Sequence, residues 1–186
     1  YRFLKQKFGL SNLHVTPLQF FRLRPPNFPT IRLSQLAMLY HKEQNLFSKI
    51  IAATTVQELY GILKVSTSEF WNDHYTFGKV SKPTKKIVTN SFIDLLLINT
   101  ILPLKFSHAK NLGQHADEVI LSIVQQIDSE KNSIVNMFDS IKPVSKSALE
   151  SQALIQLKTE YCSKNKCLQC SVGNSILNIS QMENRQ

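Results

Sequence analysis

Phe92-Ile93-Asp94-Leu95-Leu96-Leu97-Ile98-Asn99-Thr100-Ile101-Leu102 is the most hydrophobic stretch of the chain, and its reading decides the fold. A bilayer span needs roughly 20 apolar residues. This run is shorter and carries Asp94 and Asn99, so it reads as the core of a soluble helix. The helix is expected over roughly residues 86–110, kinked at Pro103, which lacks an N–H and crowds the preceding turn, and stopped at Gly113. Asp94 and Asn99 then serve as hydrogen-bond anchors where helices cross.

The same 3.6-residue period recurs on both sides. Upstream, a helix from about Thr30 carries Ile31, Leu33, Leu36, Ala37, Leu39 and Tyr40, and another runs through Leu46, Phe47, Ile50 and Ile51. Thr55 with Glu58, Ser66 with Glu69 and Ser147 with Glu150 have the capping-box spacing that starts a helix. Downstream, helices are expected at about 115–127, 134–141 and 147–161, with a short apolar one near 175–179. Residues 74–84, with Gly78 and Pro83, read as a loop. Strand-like alternation is weak throughout. The expected fold is all-α, an irregular bundle of about seven to nine helices with an extended Pro-rich segment near the N-terminus.

With 186 residues, 42% hydrophobic and 19% charged, the chain is globular in composition and large enough for one core. We read a single domain over 1–186: a basic arm 1–29, a helical core 30–161 and a cysteine-containing segment 162–186. The first residue is Tyr1, which suggests a piece of a longer protein whose N-terminal domain lies outside it. No signal-like apolar run follows the N-terminus, and the expected location is the cytoplasm, away from membranes.

Charge is uneven. No acid occurs before Glu43, while Arg2, Lys5, Lys7, Arg22, Arg24, Arg32 and Lys42 are basic, and a second acid-free stretch holds Lys79, Lys82, Lys85 and Lys86. Such stretches attract polyanions, whether nucleic acid or an acidic protein surface; the plainer reading is a solvated basic face. Arg22, Arg24, Arg32, Lys82, Lys85 and Lys86 are the candidate anion-binding residues. Around the first three, Pro25, Pro26 and Pro29 enforce an extended segment that can present guanidinium groups to phosphate, with Phe28 plugging the core beneath. The adjacent Asp73 and His74 lack a nucleophile or second carboxylate at useful spacing. They read as part of an aromatic cluster with Phe70, Trp71, Tyr75 and Phe77, and no catalytic constellation appears in the chain.

All three cysteines, Cys162, Cys167 and Cys170, fall within nine residues. Their C-x4-C-x2-C spacing suits a thiolate metal site, zinc or an iron–sulfur cluster, which needs a fourth ligand: a histidine (His14, His41, His74, His108 or His115), or a residue elsewhere. The plainer reading is ordinary packing. The run is similar to the cluster loop of endonuclease-III-type DNA glycosylases. It departs from that loop in its first gap and in Ile176, which stands where the fourth cysteine is expected; the glycines at 9, 61, 78, 113 and 173 are isolated, without the helix–hairpin–helix signature.

Phe3–Leu10, Arg24–Ala37, Trp71–Tyr75, Ile98–Thr100 and the cysteine run with Gly173 together resemble an uncharacterised bacterial family, known chiefly from Bacteroidetes, labelled as domain of unknown function 2851. The resemblance implies no activity. It implies longer relatives, with this chain as their C-terminal part, behind an N-terminal part that looks like a restriction-endonuclease-type core. The resulting expectation is a helical accessory domain that binds nucleic acid for a nuclease-like protein. The alternative is an interaction domain docking on an acidic partner or on the N-terminal domain.

Overall fold

The computed structural model describes residues 2–11 and 15–183, with side chains as far as Leu177; His14, one candidate fourth ligand, lies outside the described residues. The fold is all-α, with one two-stranded sheet among the described residues. The chain divides into two compact units, each made of two separate stretches: Tyr1–Gln44 with Val65–Val88, and Asn45–Lys64 with Thr89–Gln186.

The first unit holds α1 (Arg2–Lys7), α2 (Pro29–Lys42), β1 (His74–Thr76) and β2 (Lys79–Val80), with 3-10 turns at Pro25–Asn27 and Glu69–Asn72. Pro29 opens α2 at a position where no N–H is needed. The inward line of α2 is Ile31, Gln35 and Leu39, with Thr30 beside it. The expected stripe through Leu33, Leu36 and Tyr40 faces outward instead. Gln35 takes an inward position because its Nε2 donates to the main-chain carbonyl of Lys86 at 3.2 Å.

That carbonyl belongs to an extended ribbon the sequence did not signal. Val88 N–H donates to Val65 O at 2.9 Å, Thr67 N–H to Lys86 O at 3.2 Å, and Ser66 pairs with Ile87. Ser66 is therefore committed to pairing, and the Ser66–Glu69 box does not form; only the 3-10 turn follows. For the same reason the long helix starts at Asn90, capped by Thr89, and not near Lys86. The expected loop at 74–84 contains the β1–β2 hairpin.

The second unit holds α3 (Leu46–Ala52), α4 (Val56–Leu63), α5 (Asn90–Leu96), α6 (Leu102–Asn111), α7 (Asp117–Gln126), α8 (Ser133–Ile141), α9 (Ala148–Gln156) and α10 (Ser171–Glu183). Helices α5 and α6 are joined through the π-helical turn Leu97–Ile101 into one helix, Asn90–Asn111, which has the length and apolarity to cross a membrane by those measures alone. Its buried residues Ile93, Leu97, Ile101, Leu102, Lys105 and Ala109 make it a core helix, α5 against α4 and α6 against α7. Pro103 does not break it. Leu102 N–H reaches back five residues to Leu97 O in a widened turn just ahead of the proline. Both other capping boxes form, at Thr55–Glu58 and Ser147–Glu150. At the start of α9, Ala148 and Ser151 are wholly buried. Their small side chains admit the Ile127–Glu130 backbone, tied by Ala148 N–H to Ile127 O at 2.8 Å and Glu130 N–H to Ser151 Oγ at 3.2 Å.

The polar centre of this unit is Lys105, only 6% exposed. Its ammonium donates to Ile50 O at 2.9 Å, Ile51 O at 2.6 Å and Ala53 O at 2.8 Å, the carbonyls that the end of α3 leaves unpaired. Lys105→Met removes the burial cost of the charge but strands three carbonyls, and we expect a loss of about 2–4 kcal/mol in urea unfolding. Glu58 accepts from Thr54 N–H at 2.7 Å and Thr55 N–H at 3.3 Å, which hold its carboxyl below the ordinary value. A depressed folded-state pKa stabilises above the unfolded value, and the benefit is lost as pH falls through the folded one. Glu58→Gln should therefore flatten the acid limb of a plot of urea midpoint against pH.

Candidate nucleic-acid interface

Nearly all the net charge sits on the first unit. It carries eleven Lys and Arg against three Asp and Glu, a net +8, while the second unit carries eleven against ten, and together they make the chain's +9. Opposite signs interspersed on the second unit leave little long-range field; the first unit attracts anions at a distance.

The two acid-free stretches of this unit meet at Tyr75. Phe28, half-buried after the Pro25–Asn27 turn, packs edge-on against Phe20 at 5.1 Å and Tyr75 at 6.3 Å. Thr30 Oγ1 donates to Tyr75 O at 2.5 Å. From the other stretch, the Lys86 ammonium lies 4.2 Å from the Tyr75 ring centroid, a cation–π contact. Tyr75 thus clamps the proline segment and the post-hairpin loop to one scaffold. The sequence placed Tyr75 in an aromatic cluster but gave no sign of this role.

The candidate anion-binding residues divide. Arg22, with φ of 61°, and Arg24 are exposed on either side of Leu23, and Lys82 and Lys85 are exposed beyond the hairpin. Arg32 is half-buried and turned to its own segment, donating to Gln35 Oε1 at 2.8 Å and Asn27 Oδ1 at 2.6 Å; burial lowers its pKa from the ordinary value. Lys86 does not belong to an anion-binding surface. It is 7% exposed, and its ammonium donates to Trp71 O, to Asn72 O at 2.8 Å and to Thr84 O at 3.3 Å. Desolvation lowers its pKa, with the Asp73 charge opposing.

The exposed cations stand among exposed aromatic rings. Phe21 lies beside the Arg22 guanidinium, 5.1 Å from its centroid, Phe77 tips the hairpin between Tyr75 and Lys79, and Lys7 lies over Phe3 and Phe8. His74 stacks on Phe70 at 4.3 Å, with its Nδ1 2.7 Å from Asp73 Oδ1 and 3.1 Å from Phe70 O. Phe70, Trp71 and Phe77 pack on one another within 6.1 Å, so these three rings form the cluster expected here; Tyr75 turns to Phe28 and Lys86 instead, and Asp73 fixes the His74 imidazole on Phe70.

The cysteines are not gathered. Cys162 and Cys167 are exposed, Cys170 is buried, and among the described residues no group of three or more His, Cys, Asp or Glu side chains is arranged to hold a metal ion. Of the candidate histidines, His108 packs on Phe47 at 5.3 Å and His74 is engaged as above.

A family model described as a protein of unknown function (DUF2851) matches residues 1–133. The chain belongs to this family. The DUF2851 match takes in every residue of the basic first unit and stops short of the cysteine run. No curated protein and no solved structure matches the chain.

The buried position of Lys86 makes it a test that separates folding from anion binding. Lys86→Met should lower the stability of the protein by about 2–4 kcal/mol, because three carbonyls lose their donor, as read by chemical denaturation. Below the unfolding transition, its anion affinity should stay within about twofold of wild type, since a buried ammonium neutralises no phosphate.

Proposed function

We propose that this DUF2851 protein binds nucleic acid through its basic first unit, as the helical accessory part of a larger nuclease-like protein. The observation that carries this reading is the concentration of the chain's charge on one unit whose exposed cations alternate with exposed aromatic rings: Phe21-Arg22-Leu23-Arg24 in one segment, Phe77-Gly78-Lys79 leading to Lys82 and Lys85 in the other. Cations neutralise phosphates, and exposed aromatic rings stack on unpaired bases, a combination suited to single strands.

A second reading has its own support. No residue of α1 is buried, and Phe3, Phe8, Leu10, Val15 and Leu18 are exposed along the arm. An arm both basic and apolar fits an acidic protein surface that covers it.

Fluorescence anisotropy with a labelled single strand, at about 50 and 200 mM salt, distinguishes them. The nucleic-acid reading expects affinity to fall steeply with salt, a slope lowered by about one for each phosphate-contacting lysine removed in Lys82→Ala and Lys85→Ala. Phe77→Ala should cost about 1–3 kcal/mol on a single strand and much less on a duplex. No binding at low salt would reject the proposal.

A further inference from the structure

Cys167 and Cys170 sit at the two ends of one 3-10 turn. Residues Cys167–Gln169 form it, and Cys170 N–H closes it on Cys167 O at 3.2 Å. Such a turn rises about 2.0 Å per residue and eclipses side chains three apart. Three residues at that rise place the two Cα atoms about 6 Å apart, inside the window of about 4.4–6.8 Å that a disulfide spans. The turn is held firmly in this shape. A Cβ on Gly173 would fall 2.3 Å from Cys167 O, so the first turn of α10 lies directly against that carbonyl. An open groove of about 240 Å³, lined by Ala153, Leu157 and Tyr161, borders Cys170.

The two thiols differ in access: Cys167 is exposed, and Cys170 is 7% exposed. Cys162 belongs to a different 3-10 turn, Cys162–Lys164, closed by Asn165 in the left-handed conformation at φ of 53°. Access assigns the order of events and spacing assigns the pair.

We propose that Cys167 and Cys170 form a reversible dithiol–disulfide pair that exchanges with low-molecular-weight disulfides. The Cys167 thiolate attacks one sulfur of the small disulfide, whose S–S bond breaks and releases one thiol. Cys170, as thiolate, then attacks the Cys167 sulfur of the mixed disulfide and expels the second thiol. Two protein thiols are oxidised, one small disulfide is reduced to two thiols, and the two protons pass to the departing sulfurs. Closing a loop this small restricts the unfolded chain less than closing a long one, which suits a reversible bond over a structural one. The pair lies outside the basic unit, so this inference does not depend on nucleic-acid binding.

The test incubates the full chain with oxidised glutathione, traps free thiols and maps peptides by mass. The expected result is a single intramolecular bridge between Cys167 and Cys170 in the wild type and in Cys162→Ser. Cys170→Ser should retain glutathione on Cys167, because the resolving thiol is gone, and in Cys167→Ser the buried Cys170 should label about tenfold more slowly than Cys162. Circular dichroism checks that each variant keeps its helix content, and the wild-type mapping stands without any variant. A bridge that includes Cys162, or a glutathione adduct that persists on Cys167 in the wild type, would overturn the proposal.

Discussion

Each unit of this protein is organised around a buried lysine ammonium nested in main-chain carbonyls. An ammonium taken out of water costs far more than a methylene group recovers, unless oxygens replace its hydration. Lys105 finds them at the end of α3, where a helix necessarily leaves carbonyls unpaired. Lys86 finds them in the Trp71–Asn72 turn and at Thr84, with the face of Tyr75 as a fourth neighbour. Both solve two problems with one side chain, since carbonyl and cation each remove the other's desolvation penalty. Both also join chain segments distant in sequence, residues 50–53 to 105 and residues 71–72 to 86.

The two basic segments are joined through Tyr75. Holding Lys86 under its ring and Phe28 at its edge, it fixes two basic segments whose exposed members, Arg22, Arg24, Lys82 and Lys85, remain in solvent. In the proposed function, cations carried on segments already anchored would spare binding the cost of ordering that backbone. The DUF2851 match covers all of this charged unit and continues into the second, to residue 133.

The helices were legible because their signals are local. Thr55 and Ser147 cap where the sequence says they should, and the apolar run at Phe92–Leu102 is the core helix it reads as. Ser66 and Glu69 have the same spacing and fail, because Ser66 pairs with Ile87, twenty-one residues on, and local spacing carries no record of that competitor. Pro103 lies inside one helix that continues through it from Asn90 to Asn111, next to the widened turn at Leu97–Ile101. The Leu33, Leu36 and Tyr40 positions obey helical periodicity yet face outward, since Gln35 has a carbonyl to satisfy inside.

The sequence by itself determined the all-α class, two of three helix caps, the uneven charge and the close spacing of the cysteines. These depend on neighbours within a few residues or on simple counts. Tertiary structure alone decided which basic residues are surface and which are scaffold. Lys82, Lys85 and Lys86 are nearly adjacent in sequence, but only Lys86 meets carbonyls that a turn fourteen residues away supplies. It likewise decided that three clustered cysteines do not converge on one point, because Cys162 opens one turn while Cys167 and Cys170 span another. Burial and partnership are set by long-range packing, and a side chain's chemistry in a folded protein follows from them.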